Sequence, residues 1–143
     1  MDRVLRILVL AVLVGAGAWA VLRWPHLDTV ETGRTPEYPE LKPRDYPASE
    51  AEVSRAVKAT LDRLGWQFIG AGRGPGGSEV RAKARGRILP TDHDITIRIQ
   101  RLGARTRVSV AAHSRTLPWD FGENARLIDK FLPALDEEIG RRR

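Results

Sequence analysis

The residues best suited to chemistry cluster late in the chain. Asp92-His93-Asp94, His113 and Asp120 are the one group that could ligate a metal or run acid–base catalysis. Their spacing matches no ligand pattern, and Asp and His are favoured in turns for their own backbone hydrogen bonding. Ser114 beside His113, with Asp120 downstream, offers the residue types of a nucleophilic triad. It lacks the Gly-x-Ser-x-Gly elbow, and strand neighbours point to opposite faces, which separates Ser114 from His113. Asp120-Phe121-Gly122 stands without any other kinase element. The five glycines between Gly70 and Gly77 lack the Gly-Lys-Ser/Thr ending that binds phosphate and open no helix, so they read as a hairpin loop. There is no cysteine, which excludes disulfides, thiolate metal sites and lipidated cysteine. No cofactor is implied.

A second group carries charge in place of reactivity. Arg81, Lys83, Arg85 and Arg87 alternate with small or apolar residues and so share one face of one strand. Arg98, Arg107, His113 and Arg115 are expected on the same face of its neighbours. Like charges directly opposite one another destabilise a sheet pair. The concentration therefore points to an anionic partner or to acids supplied from elsewhere, and a solvated face protecting the edge is the plainer alternative. A third group is Arg115, Asp120 and Asn124. A capping Asp120, a locally bonded Asn124 and an Arg115–Asp120 pair explain these residues without a ligand.

Recognisable elements flank these groups. Ser49 and Glu52 form a capping-box pattern ahead of the stripe Val53, Ala56, Val57, Leu61 and Leu64, and Gly65 ends that helix. Trp66–Ile69 reads as a short strand. Alternation predicts three more around Val80–Ile88, Ile95–Ile99 and Val108–Ala112, with turns at Pro90–His93 and Gly103-Ala104. A final helix follows Asp120, with Glu123 at its third position and Ile128, Phe131, Leu132, Leu135 and Ile139 on its core side. Pro133 predicts a kink or break near Lys130.

Arg3 and Arg6 precede sixteen uncharged residues, Ile7 to Leu22, closed by Arg23 and Trp24. Val4 to Trp24 is long enough to span a bilayer, which takes about 20 residues. Ala16-Gly17-Ala18 and Ala18-Trp19-Ala20 also offer signal-peptidase spacing. The apolar run continues past both, which favours an anchor. The basic N-terminus places the domain outside, in a periplasm or its equivalent.

The net charge of +6 comes mostly from the ends. Residues 24–140 hold 18 basic and 17 acidic groups, but residues 79–115 hold nine and three. Nucleic-acid binding is disfavoured because no aromatic interleaves the basic strands and an exported domain meets no nucleic acid.

Ser114-Arg115, Asp120-Phe121-Gly122, Asn124, Arg126 and Ile128 resemble the closing motif of the bacterial domain-of-unknown-function family 1499. The resemblance covers about residues 46–135. It implies a small envelope-associated protein and no established activity. The chain departs from the pattern at Leu117-Pro118-Trp119 and at Ala111-Ala112-His113.

The expected fold is α+β: a four- to five-stranded antiparallel sheet with two helices packed on one face, preceded by the transmembrane or signal segment. Residues 1–24 are the anchor or signal, 25–47 a proline-rich tether in which Tyr38 and Leu41 dock as an edge strand, 48–140 a single domain and 141–143 a basic tail. The expected function is a non-enzymatic envelope domain, facing the periplasm from a bacterial inner membrane or secreted there after cleavage. It binds an anionic lipid, envelope polymer or acidic protein face through its basic strands. The alternative is a hydrolase or metal-dependent enzyme using His93, His113 and nearby carboxylates.

Overall fold

The computed structural model describes residues 2–23, 27–116 and 120–142. Trp24, Leu117-Pro118-Trp119 and Arg143, which enter the sequence reading, lie outside them. The elements run α1 (Asp2–Arg23), β1 (Thr29–Glu31), β2 (Arg44–Tyr46), α2 (Glu50–Leu64), β3 (Gln67–Gly74), β4 (Gly77–Arg85), β5 (Asp92–Leu102), β6 (Arg105–Ser114) and α3 (Glu123–Arg141). The fold is α+β, as expected. Its sheet has six antiparallel strands in the order β1-β6-β5-β4-β3, with β2 also on β6.

The two additional strands come from the proline-rich stretch. Tyr38 and Leu41 do not form the edge pair. Thr29–Glu31 pairs with His113–Ala111, and Arg44–Tyr46 pairs with Val108–Thr106, so two short strands share successive parts of one edge. Val30, Leu41 and Tyr46 are buried at 0, 4 and 7 % exposure. Residues 27–46 are thus part of the domain core, with Leu27 and Tyr38 packed against it.

Period-2 alternation determines which face each strand residue takes. Val80, Ala82, Ala84, Ile95, Ile97, Ile99, Val108, Val110 and Ala112 point inward. The apolar stripes of α2 and α3 cover them, and Trp66 stacks on Phe131 at 5.8 Å. The opposite face carries no helix among the described residues.

The capping box at Ser49 and Glu52 forms as the sequence predicts, and Gly65 closes α2. The glycine-rich run is mostly strand: β3 continues to Gly74, a bulge lies between Phe68 and Gly70, and only Pro75-Gly76 turns. Partners on β4 supply the backbone bonds that make this low-propensity segment a strand. α3 runs unbroken through Pro133. The packing of Phe131, Leu132, Leu135 and Ile139 outweighs the hydrogen bond that proline removes.

Arg3–Ala20 of α1 is long and apolar enough to cross a membrane, by length and composition, and is not buried against the domain. A signal sequence satisfies the same criteria.

Candidate functional site

The sheet register places charges in rows across the open face. Arg85 lies opposite Asp92. Lys83 lies opposite Asp94, which faces His113, which faces Thr29. Arg81 lies opposite Thr96, and Glu79 lies opposite Arg98. Acids are therefore interleaved with the bases, most of them on strands other than β4. The strand pairing, not the composition of β4, determines which cations are neutralised.

In one half of the face most cations are paired. Arg107 forms a two-pronged pair with Asp45 at 2.7 and 2.8 Å. Hydrogen bonding from Arg107 holds the Asp45 carboxyl below its ordinary value and raises the Arg107 guanidinium correspondingly. Arg98 donates to Glu31 at 2.7 Å and approaches Glu79 at 3.8 Å, and Arg34 lies 3.5 Å from Glu31. A depression of about 560 Å³ over this half is lined by Glu31, Arg34, Glu79, Arg98 and Arg107.

The other half keeps a surplus of positive charge. A depression of about 330 Å³ is lined by Ile69, Arg81, Lys83, Asp94, Thr96 and Arg115. The β3 bulge leaves Ile69 half exposed at its margin. Arg115 donates to Asp94 at 2.7 Å, which raises the guanidinium further above its already high ordinary value. Lys83 reaches Asp92 only at 3.9 Å. Arg81 and Arg85 have no acidic partner within 4.0 Å among the described residues. Arg87, expected on the same strand face, instead falls beyond the end of β4 in the loop, where Glu123 holds its backbone, and all three are exposed. An anion entering here meets three cations and one carboxylate already engaged by Arg115.

His113 lies on this same face and shares a hydrogen bond with Thr29 Oγ1 at 2.8 Å. His93 points the other way and is 1 % exposed. The two histidines thus stand on opposite faces of the sheet and share no site. His93 Nδ1 lies 2.8 Å from Asn124 Oδ1 and 3.3 Å from Ser114 Oγ, and Nε2 lies 3.3 Å from Thr91 Oγ1. Asn124 Nδ2 donates to the Asp28 carbonyl and to Ser114 Oγ, which assigns Oδ1 as acceptor and places the proton of His93 on Nδ1. A catalytic triad uses its two imidazole nitrogens for two different partners, one of them the nucleophile. Here Ser114 and Asn124 meet the same nitrogen and are buried, so the constellation is a polar clasp inside the core. Among the described residues, no three His, Cys, Asp or Glu side chains are grouped to hold a metal.

Asp120 and Asn124 are placed inward, away from the basic face, at 4 and 0 % exposure. Asp120 accepts from the backbone of Gly122 at 2.9 Å and of Asn124 at 2.6 Å, capping α3 across a left-handed turn. Phe121 and Gly122 there have φ of 52° and 79°, which explains the glycine. Arg115 pairs with Asp94, not with Asp120. Glu123 does not reach back in a capping box. Its buried carboxylate accepts from the backbone N–H of Arg87 at 3.2 Å and Ile88 at 2.9 Å, and Arg126 covers it at 2.6 Å. Sequence reasoning missed this pin on the β4–β5 loop. No local signal marks it, because its partners lie more than thirty residues away. His93 was findable: it has the same parity as Ile95, Ile97 and Ile99.

These positions are those of the motif Ser114-Arg115 … Asp120-Phe121-Gly122-x-Asn124, and a family model for the protein of unknown function DUF1499 matches residues 23–135. The chain belongs to this family. Comparison with curated proteins finds no relative. The DUF1499 match begins 23 residues ahead of the expected boundary near Tyr46, so it takes in β1 and β2, in agreement with their packing. In this DUF1499 chain the motif residues Ser114, Asp120 and Asn124 build the junction between the sheet and α3, while Arg115 alone reaches the open face.

Proposed function

We propose that this protein is a non-enzymatic, membrane-tethered envelope domain that holds an anionic group in the depression between Arg81, Lys83 and Arg115. The single observation that carries the reading is Arg81. It is an exposed cation with no acid within 4.0 Å among the described residues, on a face where Arg98, Arg107 and Arg115 are all paired. Desolvating the phosphate or carboxylate of a ligand is offset best where a cation is not already engaged. The apolar helix α1 supports the tether, and the basic flank at Arg3 and Arg6 supports a domain facing the periplasm from the inner membrane. Tethering raises the effective concentration of any ligand that shares the membrane.

The test is a chemical-shift titration of the full chain in detergent micelles with sn-glycerol 3-phosphate, and separately with polyglutamate, at low and high salt. The expected result is salt-sensitive shifts centred on Arg81, Thr96 and Arg115 that are lost in Arg81→Glu. If both probes leave these resonances unmoved at low salt, the depression is a solvated surface and the reading fails.

A further inference from the structure

The connection between α1 and the sheet is much shorter than a proline-rich tether. Leu27 already packs against the core, and the Asp28 carbonyl accepts from Ser114 N at 2.8 Å and from Asn124 Nδ2 at 2.9 Å. Only residues 24–26 lie between the end of α1 and this attachment. Four Cα steps reach at most ~14 Å, roughly twice the depth of one leaflet's headgroup layer. The start of β1 therefore cannot lie far from the end of α1.

Antiparallel register determines what else lies at that end. Thr29 pairs with His113, His93 with Ser114, and Arg85 with Asp92. The start of β1, the end of β6 and the β4–β5 loop thus share one end of the sheet, and the turns Pro75-Gly76 and Gly103-Ala104 share the other. The β4–β5 loop, residues 86–91, presents Ile88 at 57 % exposure. Arg85 at the end of β4 and Arg87 in the loop both precede it, and both are exposed. The backbone is not free to fold Ile88 away. Glu123 holds its N–H, and Gly86 N donates to the Thr91 carbonyl at 2.9 Å. A Cβ on Gly86 would meet the Leu89 carbonyl oxygen at 2.5 Å, so the tight path depends on that glycine. Asp28, Asp92 and Asp94 stand at the same end, but Asp92 and Asp94 face Lys83 and Arg115.

We propose that the loop of residues 85–91 rests in the headgroup layer of the same bilayer that α1 spans, with Ile88 inserted and Arg85 and Arg87 on anionic lipid phosphates. An exposed apolar side chain next to two arginines, held on a pinned backbone at the membrane end, is the pattern of an interfacial anchor. The contact stands the sheet upright, with its open face sideways to the membrane and the Arg81 depression within reach of the lipid surface. This inference rests on α1 being retained as a membrane span.

The chain has no cysteine, so single-cysteine labelling is unambiguous. The full chain is reconstituted in nanodiscs of phosphatidylglycerol mixed with phosphatidylcholine. An environment-sensitive fluorophore is placed on Ile88→Cys, on Leu13→Cys within α1, or on Ala104→Cys at the far end. All three sites are exposed, so the labels leave the core intact. The expected result is a blue shift, with quenching by lipid-borne nitroxide, at positions 13 and 88 and not at 104. Adding Arg85→Glu and Arg87→Glu to Ile88→Cys abolishes the shift at 88 and leaves that at 13. A lipid-buried label at 13 with a water-exposed label at 88 overturns the docking and leaves the tether standing. Water exposure at both overturns the anchor reading and the docking with it.

Discussion

Asn124 Oδ1 accepts a hydrogen bond from His93 Nδ1 at 2.8 Å, inside the core, where the first turn of α3 meets the start of β5. The same amide donates to the Asp28 carbonyl and to Ser114. One side chain thus joins the helix to the sheet, to the end of β6 and to the segment leading into β1. Removing it takes one hydrogen bond each from His93, Ser114 and the Asp28 carbonyl, breaks the helix–sheet link and leaves a void in the core. Asn124→Ala is expected to destabilise the domain by about 2–4 kcal/mol. Urea unfolding followed by circular dichroism measures this. A loss below about 0.5 kcal/mol, the level of an ordinary surface substitution, would show that the clasp is not structural.

Glu123 binds two backbone N–H groups of the β4–β5 loop, and Arg126 compensates its charge. Glu123→Gln keeps the volume but turns an amide donor toward one of those N–H groups. The expected cost is about 1–3 kcal/mol, the scale of an unsatisfied buried group. Hydrogen exchange at Arg87 and Ile88 should accelerate before exchange at β5, and unchanged protection at both amides would contradict the pin.

Tyr46 is buried, and its hydroxyl donates to Asp136 Oδ1 at 2.7 Å. Burial, then the Asp136 bond, raises its phenol above the ordinary value of 10.0. The folded state therefore favours the protonated ring. This contribution is complete below pH 10.0 and is lost as pH rises above it. Thermal melts of the native chain should decline more steeply above pH 10 than those of Tyr46→Phe, and parallel declines would exclude Tyr46 as the cause.

Residues 27–46 supply Val30, Leu41 and Tyr46 to the core. A chain that starts at Pro47 should lose the cooperative unfolding transition, whereas a chain that starts at Trp24 should keep it. Differential scanning calorimetry of the two truncations checks this, and a sharp transition in the shorter one would return the segment to the status of a linker.

Much of this architecture was legible because it is written in local periodicity. The stripe from Val53 to Leu64 and the alternation of Ile95, Ile97 and Ile99 each encode a buried face within a single element. β1 and β2 were not legible, since three residues cannot display a period. Their strand conformation comes from bonds to β6, some sixty to eighty residues later. The same limit applied to charge. Alternation revealed that Arg81, Lys83 and Arg85 share a face. Which of them is neutralised depended on Asp92 and Asp94, opposite them only in the folded register. Asp120 and Asn124 belong to the sheet–helix junction, and nothing local in their spacing distinguishes a ligand pair from a clasp.

The way β1 joins the sheet also has a mechanical side. It enters at the end nearest α1 and runs antiparallel to β6, while Ile139 and Arg142 at the end of α3 lie beside Pro47, at the opposite end of the strands. Tension between α1 and the C-terminal helix end is therefore directed along the strands. It shears the β1–β6 bonds together instead of peeling them singly, and with them the Asp28 carbonyl bonds to Ser114 and Asn124. The three pairs and the Asp28 carbonyl bonds carry such a load together instead of opening one after another.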